Sequence, residues 1–252
     1  MGSAWTPQTS SLVNGNVLND GTADSPRGWA ISTNADYTFT ATGTSRAKVT
    51  ATSANRSVNL PTTSIKAGIN IEVETACSGG YTIAIKSSDG DTIDTLIGDK
   101  GRIRLMALQD APTDGTHWEV VDVVDSIVIT PTFTFTGGAT AASSVLLVRN
   151  MLSVSCDAQV NEVTSATASG SCVSSAGAIP AKFRPSYVYG SEHNALTTAR
   201  DNGTIADVPG MFVVQSAGTM VVQKNILSTG FTGGAGGATG HPRKVSLSWR
   251  IA

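Results

Sequence analysis

The feature that most constrains the fold of this chain is an alternation of apolar and polar residues between Tyr37 and Val124. Successive side chains of a β-strand point to opposite faces, so this two-residue period is typical of strands with one buried face. Turn-forming residues, mostly Gly beside Asp, Lys or Ser, separate the runs. The apolar positions are Tyr37, Phe39, Val58, Leu60, Ile69, Ile71, Val73, Tyr81, Ile83, Ile85, Ile103, Leu105, Trp118, Val120 and Val123. We therefore predict a small antiparallel β-sandwich or barrel over residues 36–131.

The low proportion of charged residues supports an all-β chain. Charged side chains make up 14% of the sequence, against about 25% in an average soluble domain. Long solvated helices need more Glu, Lys and Arg on their outer faces than this. A low-charge surface suits a chain that packs against copies of itself, and it equally suits a sandwich protein with a neutral surface.

The sequence after Thr130 predicts a second β-domain over residues 132–252. Ile127–Pro131 is the last strand of the first domain or a short connector. The Gly-rich segment 230–240 is either a binding loop at the tip of the scaffold or a place where strands turn and chains approach an axis. The strands predicted for this domain are Thr132–Thr136, Val145–Cys156, Val160–Ala168, Met211–Val214, Met220–Val222 and Val245–Ile251.

The N-terminal residues 1–35 mix Ser, Asn, Gly and Asp with isolated large apolar side chains. This segment is too polar for a core of its own and too apolar for a free tail. An extended arm that packs on another surface accounts for both properties, and a strand laid across its own domain does so too. The candidate anchoring residues are Trp5, Leu12, Val13 and Trp29.

Charge and hydropathy argue against several partners and locations. The net charge is −2 with no basic block, so nothing favours nucleic acid. No run approaches the ~18 apolar residues that predict membrane insertion. The N-terminus lacks the charged and apolar regions of a secretory signal, so synthesis in a host cytoplasm is expected.

No motif in the sequence predicts catalysis, a metal site or a cofactor. The three histidines are scattered, and Asp89, Asp91 and Asp94 lack the closing Glu of a calcium loop, so a Gly-centred hairpin turn is favoured there. The isolated acids cannot be paired as a glycan-cleaving site requires. Cys156 and Cys172 can be neighbours on adjacent strands, but buried free thiols are favoured for all three cysteines.

Two stretches of the sequence resemble virion proteins of bacteriophages. Residues 178–222, with the Phe183-Arg184-Pro185 step, and the closing VSLSWRIA resemble the C-terminal β-domains of phage tail fibres and related virion fibres. The stretch from NLPTT at residue 59 to HWEV, roughly 70 residues long, is similar to a small β-domain that recurs in phage fibre and tail proteins.

The resemblance implies a homotrimer with a jelly-roll-like head, which acts in adhesion and assembly without enzymatic activity. It implies that the N-terminal arm docks to capsid or tail proteins of the virion. The alternative is a capsid decoration or head-fibre protein that stabilises the shell. The residues expected in a core shared between the three copies are Phe183, Met211, Phe212 and Trp249.

A host receptor or surface glycan is the expected external partner. The stretch from Tyr187 to Asn202, predicted to be a loop, combines aromatic and polar side chains that suit sugar or protein contact. A position leading into strands at the trimer interface is the other interpretation. The candidate contact residues are Tyr187, Tyr189, His193, Asn194, Arg200, Asp201, Asn202 and His241.

Overall fold

The structure of the chain is a computed structural model whose described secondary structure is almost entirely β-strand, which confirms the all-β class. It divides into two compact units, Met1–Asp125 and Ser126–Ala252. The structure describes residues 29–40, 45–135, 139–161, 171–186, 192–202, 204–205, 208–227, 230–232 and 245–251, and the backbone alone for residues 12–13 and 16–17.

The first unit is built from strands β1 to β11, with β11 continuing past the division. Its one described helical element is a 3₁₀ turn, Gly115–His117. The strands are β1 (Leu12–Val13), β2 (Asn16–Val17), β3 (Trp29–Thr33), β4 (Tyr37–Thr38), β5 (Arg46–Ala51), β6 (Arg56–Asn59), β7 (Asn70–Cys77), β8 (Ile83–Lys86), β9 (Thr92–Leu96), β10 (Lys100–Ala107) and β11 (Trp118–Ile129).

The chain of the first unit winds back and forth between two sheets. Strands β3, β5 and β7 lie side by side in one sheet, and each neighbouring pair is parallel. Strands β4, β6 and β8 lie in the other sheet and are also parallel neighbours. Each successive turn of the chain therefore adds one strand to each sheet, so the prediction of a purely antiparallel small domain is wrong.

The winding reverses after β8. Strand β9 returns antiparallel to β8, and β10 returns antiparallel to β7, with β11 next to β10. The β8–β9 connection is the predicted Gly-centred turn: Ser87 N donates to Asp91 O at 2.9 Å, and Gly90 has a φ of 99°. Glycine adopts this conformation without the steric penalty that a Cβ brings, so the turn prediction is confirmed.

The first core forms from side chains of both sheets, because alternate residues of each strand face inward. Most of the apolar positions of the two-residue period lie here. On β5 the inward residues Ala47, Val49 and Ala51 are fully buried. Burial of a side chain the size of Val or Ile contributes roughly 1.5–3 kcal/mol. The fully buried larger members of this core are Val58, Val73, Ile83, Ile85, Leu96, Ile103 and Leu105.

Part of the predicted N-terminal arm is a strand of the first unit. Trp29–Thr33 forms β3, which pairs with β5 in parallel register, and Ala30 packs against the core. Trp29 is half-buried, and the Arg46 guanidinium lies 5.6 Å from its ring centre. This is the alternative of a strand laid across its own domain, and the role of Trp29 as a particle anchor stays a prediction. Leu12 and Val13 form β1, and Trp5 lies outside the described residues.

The second unit contains the remaining strands and a 3₁₀ turn, Ala181–Phe183. The strands are β12 (Phe133–Phe135), β13 (Thr140–Ala141), β14 (Ser143–Asn150), β15 (Ser153–Val160), β16 (Cys172–Ser174), β17 (Glu192–Thr197), β18 (Arg200–Asp201), β19 (Thr204–Ile205), β20 (Gly210–Gln215), β21 (Met220–Gln223) and β22 (Val245–Arg250).

Strand pairs within the second unit are antiparallel throughout its described residues. Strands β14, β15 and β22 lie side by side, and a six-stranded sheet has the order β13-β12-β16-β21-β20-β17. Strands β18 and β19 form a separate hairpin. The jelly-roll-like connectivity of this unit stays a prediction.

Several predicted boundaries change in the second half of the chain. The run Val145–Cys156 is two strands, β14 and β15, because the chain turns at Met151, whose φ is 44°. The predicted strand Val160–Ala168 falls largely outside the described residues. Residues 118–129 form one strand, so the units divide after Asp125 and not after residue 131.

Candidate functional site

The stretch predicted as a contact loop does not form one continuous loop. Residues 192–197 are strand β17, paired with β20, and Arg200–Asp201 is β18. The predicted loop is corrected here because backbone pairing with β20 fixes its second half in the sheet. Tyr187, Tyr189 and His241 lie outside the described residues.

The strand places His193 and Asn194 on opposite faces of the sheet. Asn194 is exposed, whereas His193 is half-buried with its ring centre 6.4 Å from that of Trp249. Nε2 of His193 is buried and has no hydrogen-bond partner among the described residues. Of these two candidates, only Asn194 has its side chain on the exposed face.

The Asp201 carboxylate bonds to two other segments of its own chain and is not a surface contact. We call this set of bonds the Asp201 tie. It is 8% exposed, and its carboxylate accepts hydrogen bonds from Thr232 N at 2.9 and 3.0 Å and from Thr232 Oγ1 at 2.6 Å. Lys224 Nζ lies 2.7 Å from the same carboxylate. These groups occupy the oxygens that a glycan would need, so the prediction for Asp201 is wrong.

Arg200 and Asn202 flank this tie at the β18–β19 hairpin. Arg200 is half-buried and pairs with Ile205, while Asn202 is exposed at the hairpin tip with a φ of 51°. Asn tolerates this left-handed conformation better than most residues, and Asn-Gly is the strongest short hairpin signal in a sequence. Asn202 thus has a conformational role in the turn, and its side chain remains accessible.

Three of the four residues assigned to a shared trimer core are buried by their own chain. Phe183, Phe212 and Trp249 are 0%, 1% and 3% exposed in a single copy. A side chain that is already covered cannot contact a second copy, so this assignment is corrected. Met211, which faces the opposite side of β20 from Phe212, is half-buried.

Phe212 belongs to an aromatic core within the second unit. Its ring centre lies 6.4 Å from that of Phe133, and Phe135 meets Phe231 edge-to-face at 5.4 Å. Such pairs are worth roughly 0.5–1.5 kcal/mol beyond the area they bury. These contacts give a single chain its own core without help from a partner.

The two separated parts of the phage-fibre pattern meet in the structure. The indole N–H of Trp249 donates to the carbonyl of Phe183 at 2.8 Å. One step further on, Ser186 N donates to Arg250 O at 3.0 Å. The Phe-Arg-Pro step is therefore fixed to the last strand by one side-chain and one backbone hydrogen bond, and we call this contact the closing joint.

Arg184, the middle residue of the step, lies over two glycines. Its Nε donates to Ile179 O at 2.8 Å. A Cβ added to Gly218 would lie 2.5 Å from Arg184 Nε, and one added to Gly177 would lie 3.1 Å from the guanidinium. Both glycines also have positive φ, 79° and 72°. Side chains at these two positions would displace the arginine.

A buried carboxylate holds a turn in the first unit. Asp125 is fully buried, and its oxygens accept from the backbone amides of Ile97 at 3.1 Å and Gly98 at 2.8 Å. Sequence reasoning treated this residue only as an isolated acid. Its position within the strongly apolar run 118–129 is a signal of burial, since a buried charge needs partners.

The cysteines are free and buried, as predicted. Burial raises the pKa of the Cys156 and Cys172 thiols from 9.0 to about 12, and it raises the pKa of Cys77 to about 11 with help from the Asp125 charge. Thiolates are the reactive form, so these side chains are poor nucleophiles at neutral pH.

The described residues form no arrangement that we can assign to metal chemistry. No group of three or more His, Cys, Asp or Glu side chains is placed to bind a metal ion in that part of the chain. Asp114 instead caps the 3₁₀ turn, where it accepts from Thr116 N at 2.8 Å. Among the same residues, no helix is long and apolar enough to cross a membrane.

Comparison with known proteins gives no family for this chain. No protein-family model matches it, and no curated protein matches it.

Proposed function

We propose that this chain is a non-enzymatic structural protein of a bacteriophage virion. It forms a homotrimeric fibre that presents its C-terminal β-domain to a host receptor or surface glycan. Its N-terminal segment contacts capsid or tail proteins, and it reaches the virion after synthesis in the host cytoplasm. The proposal assigns no catalytic residue, metal or cofactor to the chain.

The closing joint is the observation that carries this proposal. The Phe-Arg-Pro step and the Ser-Trp-Arg-Ile strand are the two parts of the resemblance to phage fibres, and 66 residues separate Phe183 from Trp249. Their direct hydrogen bond at 2.8 Å gives a physical reason for the two motifs to occur together in one domain. Two motifs that contact each other in the fold support the resemblance more strongly than two motifs that lie apart.

Among the described residues, the accessible candidates for external contact are two amide side chains. Asn194 and Asn202 are exposed and offer donors and acceptors to sugar hydroxyl groups. Tyr187, Tyr189 and His241 keep their predicted roles from sequence alone. We exclude Asp201 from the contact set because it is buried and bonded within the chain.

A competition assay tests the adhesive role. Host cells are incubated with the purified full-length chain before particles encoded by the same genome are added, and the adsorption rate is measured. We expect wild-type chain to slow adsorption in proportion to its concentration. The variant Asn194→Ala should compete less well, whereas Asp110→Ala, which alters an exposed residue of the first unit, should compete as the wild type does.

An unchanged adsorption rate, together with no binding of labelled chain to the cells, would contradict the adhesive role. Particles made without the chain separate the alternative. If they adsorb normally but lose infectivity at a lower temperature, the chain stabilises the shell as a decoration protein.

A further inference from the structure

Seven large apolar side chains in the described part of the second unit are exposed to water, and four of them lie on neighbouring segments. Leu196, Ile205, Ile226 and Leu227 are 66%, 55%, 49% and 68% exposed. Single exposed apolar residues are common on protein surfaces and need no explanation. A group of them in one region marks an interaction site more often than chance exposure.

The four residues lie on segments that meet at one end of the six-stranded sheet. Leu196 is opposite Met211 in the β17–β20 pair, so it lies near the amino end of β20. The backbone amide of Ile226 donates to Pro209 O at 3.1 Å, which places the end of β21 at the same edge. Leu227 follows directly. We call Leu196, Ile205, Ile226 and Leu227 the aliphatic cluster.

The Asp201 tie fixes these segments to one another. Asp201 follows Arg200, the partner of Ile205, and its carboxylate contacts Lys224, which precedes Ile226 by two positions. In addition, Leu227 N donates to Asn225 Oδ1 at 3.1 Å. Surfaces that are already ordered lose less conformational entropy on association.

The four side chains of the aliphatic cluster are apolar and uncharged, which favours an uncharged protein surface as the partner. The aliphatic cluster contains no aromatic face for a sugar ring to stack on and no side-chain hydrogen-bonding group. The nearby Asp201 and Lys224 side chains are paired with each other at 2.7 Å. A second copy of this chain presents the same neutral aliphatic surface, so copies can approach without like-charge repulsion.

The exposed area fits one interface between copies. At ~60–120 Å² of apolar surface per aliphatic side chain, the exposed fractions amount to roughly 140–290 Å². A stable interface of standard size buries about 800 Å² on each partner, of which about 450 Å² is apolar. The aliphatic cluster supplies roughly a third to two thirds of that, and the half-buried Met211 lies beside it.

We propose that the aliphatic cluster is the contact surface between copies of this chain. This inference rests on the homotrimer of the proposed function and replaces the buried residues Phe183, Phe212 and Trp249 as the source of its apolar contacts. It goes beyond the proposed function by naming the surface and the residues that hold the copies together.

Solution mass of the full-length chain tests the proposal. Light scattering coupled to size exclusion should give about three times 25.8 kDa for the wild type, and a dimer would contradict the homotrimer. Leu196→Glu and Leu227→Glu should each shift the mass to that of the monomer, because an interface that buries an unpaired carboxylate is unfavourable. The matched control is Ile31→Glu, which alters a 74% exposed isoleucine of the first unit and should leave the mass unchanged.

A second measurement detects a new disulfide between copies, whereas the first detects the loss of an apolar contact. Under oxidising conditions, Leu227→Cys should yield chains linked by a disulfide, whereas Ile31→Cys should not. Wild-type protein that stays at 25.8 kDa at high concentration, or cluster variants that keep the wild-type mass, would overturn the inference. Cluster variants that keep the wild-type mass would not contradict the adhesive role, because the adsorption competition assay tests that role separately.

Discussion

Replacing Trp249 with Phe removes the side-chain half of the closing joint while keeping an aromatic ring in the core. The indole N–H donates to the carbonyl of Phe183, and both residues are buried, at 3% and 0% exposure. A phenyl ring cannot donate this bond. The variant therefore leaves a buried carbonyl oxygen without its partner.

The cost can be estimated from two contributions. An unsatisfied buried acceptor costs about 1–3 kcal/mol. The smaller ring leaves a partial cavity, which adds about 1 kcal/mol for a volume change of this kind. We expect the free energy of unfolding of the second unit to fall by roughly 2–4 kcal/mol in total.

Trp118→Phe is a matched control in the same chain. Trp118 is 5% exposed, and its indole nitrogen is buried without a hydrogen-bond partner among the described residues. This variant loses a similar ring volume but no hydrogen bond, and it removes an unpaired donor. It should therefore cost about 2 kcal/mol less than Trp249→Phe.

Urea unfolding followed by far-ultraviolet circular dichroism measures both variants at one protein concentration. Circular dichroism is chosen because each variant changes the tryptophan fluorescence. Equal losses of stability for the two variants would refute the reasoning, since the hydrogen bond to Phe183 would then contribute nothing measurable.

Three further predictions concern the buried carboxylate, the glycine beneath Arg184 and the thiols. Asp125→Ala leaves two backbone amides of the β9–β10 turn without their acceptor and should lower the free energy of unfolding by about 3–5 kcal/mol, whereas Glu119→Ala, at an exposed position of β11, should leave the urea midpoint nearly unchanged. Gly218→Ala should lower the thermal midpoint more than Gly90→Ala, because both positions have positive φ but only Gly218 has atoms within 2.8 Å of an added Cβ; equal shifts would show that crowding contributes nothing. The three thiols should react with an aromatic disulfide reagent at pH 8 only after unfolding in urea. Because the folded-state pKa of Cys156 is raised from 9.0 to about 12, its contribution to stability is fully present below pH 9 and declines as the pH rises toward 12; urea midpoints above pH 9 that fall equally in wild type and Cys156→Ala would contradict this.

Much of the strand content followed from the two-residue period, but the direction of pairing did not. The alternating residues of β7 and β8 predict strands with one buried face, and both strands are present. A strand buries the same alternate residues beside a parallel or an antiparallel neighbour. The two-residue period of apolar residues therefore could not predict that β3, β5 and β7 are parallel.

Local turns were predictable only where the chain used Gly or Asn. The turn at Gly90 carries such a residue and was predicted. The turn at Met151 occurs within an apolar run, with a positive φ at a residue that rarely adopts one, so the run was interpreted as a single strand. The Asn202-Gly203 pair is a strong hairpin signal, and the prediction of a contact loop over the same residues did not use it.

The candidate site shows a different limit of sequence reasoning. Phe183, Phe212 and Trp249 are apolar enough that burial could be expected, yet composition does not say which chain covers them. Asp201 combined with nearby Asn and Tyr resembled a sugar site, but Lys224 and Thr232 reach its carboxylate from distant positions. Such long-range pairings become visible only when the fold brings the segments together.

The most direct test of the central proposal is the location of the chain in purified particles. Particles of the phage whose genome encodes the chain are purified on a density gradient, their proteins are identified by mass spectrometry, and intact particles are labelled with an antibody against the chain. The proposal predicts that the chain is present and that the antibody marks the outer surface of the particle. Particles that lack the chain, or carry it only where the antibody cannot reach, would contradict a virion fibre that displays its C-terminal domain to the host.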